Sequence, residues 1–181
     1  MTKLATMTTI LGGAMVLFFA LLLIAPGQMR NWLKAFPRSR LAGAILTTVD
    51  LVWVELIIRH ASLGRFEHLR PLLYLMVGPV LFVLILLLMR ELLAPRALGG
   101  LFLLIPAPIL AQTRFCDSPY RYVVIALAYI LVIKGIILAL SPYQFRKKAE
   151  IITGSSGICR LAGAAGLAFS IFVLVLGIKV F

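Results

Sequence analysis

Residues 122–146 read YVVIALAYILVIKGIILALSPYQFR, an apolar run interrupted by one charge, Lys134, and closed by Pro-x-Gln-x-Arg. The run is continuous and does not alternate polar with apolar residues, so it reads as a helix rather than a strand. Its length matches the roughly 20 residues that an α-helix needs to cross the hydrocarbon of a bilayer. Backbone polar groups have no water to bond there, which restricts a spanning segment to helices or closed barrels. This stretch therefore predicts an all-α transmembrane protein.

Outward from it, similar runs occupy residues 4–25, 41–58, 71–89, 98–112 and 161–178. The run at 98–112 is short and carries Pro106 and Pro108, so it is expected to be kinked, little tilted or re-entrant. The first run has Lys3 before it, as a signal peptide would. It is longer than the usual apolar core of one, however, and its small-residue exit, Ala25, is followed by Pro26, which disfavours cleavage. The chain is 62% hydrophobic and only 13% charged, with a mean hydropathy of +1.09; a soluble domain is far less apolar. The expectation is one integral membrane domain over residues 1–181, a polytopic helical bundle of about six spans.

The net charge of +12 would suggest nucleic acid in a soluble protein. Here Lys and Arg cluster between the apolar runs, where they anchor a protein to the membrane surface, and no nucleic-acid partner is expected. One cluster holds Arg30, Lys34, Arg38 and Arg40; another holds Arg146, Lys147, Lys148 and Arg160. Loops rich in these residues stay cytoplasmic. Six crossings put both clusters on the cytoplasmic side and both termini in the periplasm, against a weaker opposing set at Arg59, Arg65 and Arg70. A re-entrant fourth segment would separate the two clusters. Arg30, Arg40, Arg146 and Arg160 are the candidate contacts for anionic head groups.

The sequence RLAGA occurs at Arg40–Ala44 and again at Arg160–Ala164, preceded by PGQMR at Pro26–Arg30 and PYQFR at Pro142–Arg146. The same order of elements, with a four-residue difference in spacing, marks hairpins 4–58 and 122–178 as parallel repeats. A middle hairpin, 71–112, carries a fainter echo at Pro95–Gly100. Proline at the end of each span stops or bends the helix at the interface, and Trp32, Phe36, Tyr143 and Phe145 supply interfacial aromatics. Ala162, Gly166 and Ser170 form a small-residue packing stripe in the last span.

The stretch SPYQFRKKAEIITGSSGICRLAGAAGLAFSIFVLVLGI resembles the YjeT-like family of small two-span bacterial inner-membrane proteins, with a Pro-containing helix end, a basic connection, and Leu-Arg-x-x-Gly-like chemistry opening the second span. The resemblance implies a bacterial inner-membrane setting and no catalytic activity.

Charge inside hydrocarbon is expensive unless paired or wet, which singles out Asp50, Glu55 and Lys134. Asp50 and Lys134 lie at nearly equal depth from the basic end. They suggest either a polar path for protons, ions or a small solute, or a buried pair that fixes helix register, with Lys134 snorkelling as a third option. Glu55 precedes Arg59 by four residues, the favourable order for a helical ion pair. His60 and His68 fit no metal-ligand spacing, and no metal or cofactor is expected. GSSG at Gly154–Gly157 lacks an intramembrane histidine partner and reads as a turn, with Ser155 or Ser156 available as a cap. In the outer loop, Arg114, Asp117 and Arg121 suit either a phosphate contact or a charge-balanced turn. Cys116 and Cys159 are expected on opposite faces as free thiols. The functional expectation is a non-enzymatic scaffold or accessory subunit, with a membrane-protein partner or a homo-oligomer. The alternative is a small transporter or channel using Asp50 and Lys134, and a lipid-processing enzyme comes third.

Overall fold

The computed structural model describes residues 3–60, 64, 68, 80, 83–85, 93–115 and 118–179, and these are helical apart from short turns. The expected span at 71–89 lies almost wholly outside the described residues, as do Cys116 and Asp117. The helices are α1 (Lys3–Ile24), α2 (Pro26–Ala35), α3 (Arg40–His60), α4 (Leu93–Leu104), α5 (Pro106–Thr113), α6 (Arg121–Leu140), α7 (Tyr143–Thr153) and α8 (Ser156–Lys179), with a 3-10 turn at Phe36–Arg38. Among the described residues five segments are long and apolar enough to cross a membrane: α1, α3, α4 with α5, α6, and α8. The protein is an all-α helical bundle of the transmembrane type.

Among the described residues the segment expected at 98–112 extends further, from Leu93 to Thr113, as one 21-residue span. Pro95 lies two residues after Leu93, where the described part of α4 begins. Ile105 keeps helical dihedrals and donates its N–H to the Leu101 carbonyl at 3.0 Å. Pro106 then opens α5 without breaking the crossing.

The prolines at the two basic turns start helices as well as ending them. Ala25 (φ −122°, ψ 60°) and Ser141 (φ −130°, ψ 71°) leave the helical region in nearly the same way, as residues before proline tend to. Pro26 and Pro142 then lead into α2 and α7. Each turn carries apolar residues at i, i+4 and i+7: Met29 and Leu33 of α2 with Phe36 of the 3-10 turn in one, Phe145, Ala149 and Ile152 of α7 in the other. The four extra residues of the second turn form an added helical turn before Arg160, because α8 starts at Ser156 while α3 starts at Arg40. Ser39 Oγ accepts from Ala42 N–H at 3.1 Å and Ser155 Oγ accepts from Ile158 N–H at 3.1 Å, so each helix that returns from a basic turn has a serine cap.

Packing follows the small residues. Helices α1 and α8 run antiparallel in close contact: a Cβ on Gly12 would sit 2.9 Å from the Leu174 backbone, one on Gly177 would sit 2.8 Å from Thr9 N, and one on Gly166 would strike the Phe19 ring. Such approaches let dispersion contacts hold helices together where lipid removes the hydrophobic drive. At the far end Leu4, Ile109, Val124 and Ala128 join α1, α5 and α6. Helix α4 packs between α3 and α6: Gly43 of α3 meets Leu93 and Ala94, while Gly99 of α4 meets Gly135 and Ala139. Buried hydroxyls bond back to their own helix, Thr47 to the Gly43 carbonyl at 2.8 Å and Ser170 to the Gly166 carbonyl at 2.6 Å.

Candidate functional site

At the basic end, α2 and α7 lie against each other. Leu22, Met29, Leu33, Ala149 and Cys159 form one buried cluster there, with Phe145, Ile152 and Ala162 packed onto it. The Phe36 and Phe145 rings stand 5.4 Å apart, and Trp32 lies 5.0 Å from Phe36. Cys159 is fully buried and its thiol donates to the Leu22 carbonyl at 3.8 Å, which ties the start of α8 to the end of α1. It is a free thiol.

Docking of the two turns leaves a notch of about 380 Å³ between them, lined by Leu33, Lys34, Pro37, Arg38, Arg146, Ala149 and Glu150. Among the described residues its floor is apolar and its rim carries three cations and one carboxylate. Arg30, Lys34 and Arg38 recur every four residues, the spacing that lines one helical face, and Arg146 and Glu150 are likewise four apart. Of the four arginines expected at the head groups, Arg146 lines the notch. Arg40 and Arg160 are exposed outside its lining, and Arg30 is half-buried outside it. Lys34 and Arg38 are the residues that sequence reasoning left out of the site. Their i, i+4 spacing was the available signal, hidden because the turn was read as a connection and not as a helix.

The structure does not bring Asp50 and Lys134 together as the depth argument suggested. Asp50 faces α4: its Oδ2 lies 2.7 Å from where a Cβ on Gly100 would sit, and its Oδ1 is enclosed with no hydrogen-bond partner among the described residues. Lys134 is exposed on the outer surface of α6. Helix α4 separates the two, presenting Gly100 to α3 and Gly99 to α6. The adjacent glycines of Pro95–Gly100 were the signal for this double approach. Glu55 accepts from Arg59 at 3.2 Å, as their spacing predicts. Arg121 lies over the Tyr122 ring, 5.1 Å from its centre. Among the described residues no group of three or more His, Cys, Asp and Glu side chains is placed to hold a metal ion.

No family model, curated protein or solved structure matches this chain. The functional reading therefore rests on the geometry of the basic end and of Asp50.

Proposed function

We propose that this chain is a non-catalytic scaffold or accessory subunit of a bacterial inner-membrane complex, working through the basic face made by its two docked turns. The observation that carries the reading is the contact of Phe36 with Phe145, which merges two distant basic turns into one surface. Exposed Trp32 and Tyr143 border that surface, as interfacial aromatics do. The positive-inside rule assigns it to the cytoplasm and the termini to the periplasm. The matched geometry at Ala25 and Ser141 supports hairpins 4–58 and 122–178 as copies of one unit. The glycine-lined seam between α1 and α8 suits a body of fixed shape that presents this face.

Native mass spectrometry after gentle extraction tests the reading. A stoichiometric membrane-protein partner, lost when Arg40, Lys147 and Arg160 are neutralised together, is the expected result. A chain that is always recovered alone would overturn it.

A second reading has one observation behind it, the enclosed Oδ1 of Asp50, which has no hydrogen-bond partner among the described residues. An intramembrane carboxylate with an enclosed oxygen that has no hydrogen-bond partner among the described residues suits a proton or cation site in a small transporter. Ion flux in proteoliposomes that Asp50→Asn abolishes would favour this reading. Equal flux from both chains would remove it.

A further inference from the structure

The notch between α2 and α7 has a chemistry of its own, distinct from the broad basic face around it. We infer that it holds the phosphomonoester head group of an anionic membrane lipid, gripped by Lys34 and Arg38 from one turn and by Arg146 from the other. The inference rests on the reading of the docked turns as a membrane-surface platform and gives that platform a ligand.

Position is the first argument. Helices α2 and α7 begin where α1 and α6 leave the apolar layer, at Pro26 and Tyr143, so the notch opens at head-group level. The second argument is the make-up of the lining: Leu33, Pro37 and Ala149 form an apolar floor suited to a glycerol backbone, and the cations stand on the rim. A soluble anion has no use for such a floor.

Charge selects among lipids. Among the described lining residues, Lys34, Arg38 and Arg146 against Glu150 leave a net charge of +2. A phosphomonoester carries about −1.5 to −2 near neutral pH, which matches that sum, whereas a phosphodiester head group with its single charge leaves the site under-neutralised. The guanidinium forks of Arg38 and Arg146 suit phosphate oxygens in paired contacts, and Lys34 adds a compact point charge. Glu150, one helical turn from Arg146, sets the upper limit on the negative charge that the rim accepts.

The test uses the purified full chain and native mass spectrometry in detergent doped with equal phosphatidic acid, phosphatidylglycerol and phosphatidylcholine. Expected is preferential retention of phosphatidic acid, weakened about fivefold by each of Lys34→Gln, Arg38→Gln and Arg146→Gln. Glu150→Gln should strengthen retention, a gain that misfolding cannot produce. Arg40→Gln and Arg160→Gln remove the same charge outside the notch and should change little. Equal retention of phosphatidic acid and phosphatidylglycerol would overturn the inference, as would equal losses from Arg160→Gln and Arg146→Gln. Displacement of the lipid by millimolar inorganic phosphate would assign the notch to a free anion and overturn the lipid assignment. These arms need no protein partner, so failure here is distinct from failure of the scaffold reading.

Discussion

Phe36 and Phe145 come from turns at opposite ends of the chain, yet their rings stand 5.4 Å apart, tilted by 41°. Phe36 is buried, only 7% exposed, and Phe145 is half-buried. Truncating a buried Phe to Ala costs about 3–5 kcal/mol in a packed core. Phe36→Ala should therefore lower stability by about 3 kcal/mol, and Phe145→Ala by a smaller amount. The double variant should lose less than the sum, because the two share one contact. Unfolding in mixed micelles measures all three.

The α1–α8 seam makes a sharper prediction. A Cβ at Gly12 or Gly177 meets partner backbone at 2.9 and 2.8 Å, and backbone cannot rotate away. Gly12→Ala and Gly177→Ala should each cost about 1–3 kcal/mol, the range for overpacking. At Gly27, inside α2, nothing lies within 4 Å of an added Cβ. Gly27→Ala should stabilise by about 0.5 kcal/mol through helix propensity. Thermal melts of the three variants should therefore split in sign.

Asp50 and Gly100 should be coupled. Gly100→Ala places a methyl group 2.7 Å from the carboxylate oxygen. The cost expected in the parent chain, about 1–3 kcal/mol, should largely vanish in the Asp50→Ala background. A double-mutant cycle measures this, and additive effects would place the carboxylate elsewhere.

Cys159 offers a probe of the basic end. In a Cys116→Ser chain, a membrane-permeant maleimide should leave the buried Cys159 thiol unmodified until the protein unfolds. Met29→Ala, which opens the cluster around it, should speed the labelling. Mass spectrometry of the intact chain follows both.

Much of this was legible in the sequence, for identifiable reasons. Continuous apolar runs are a one-dimensional signal, so α1, α3, α6 and α8 were visible to within a few residues. The Ser155 cap and the Glu55–Arg59 pair were equally local. Residues 93–97 were left out of the span because Pro95 and Arg96 look like a break, yet they are helical. Depth along a helix can be counted, which put Asp50 and Lys134 level with each other. Lateral neighbours cannot be counted, and α4 came between the two charges. The small-residue stripe was legible too: Ser170 is buried, Gly166 meets the Phe19 ring and Ala162 packs on the buried cluster, and the buried Gly163 and Gly177 widen the same packed face. The notch needed two segments far apart in sequence to meet, and no spacing within one turn encodes that meeting.

The central claim is that the two basic turns dock on one face. Lys34→Cys and Glu150→Cys, in a chain with both native cysteines removed, place exposed thiols on the two helices that line the notch. A short bismaleimide should join them within one chain in native membranes, giving a cross-linked peptide on digestion. A control pair, Lys34→Cys with Leu103→Cys, should give none. Failure of the first pair to cross-link in folded protein, with both thiols reactive, would contradict the account.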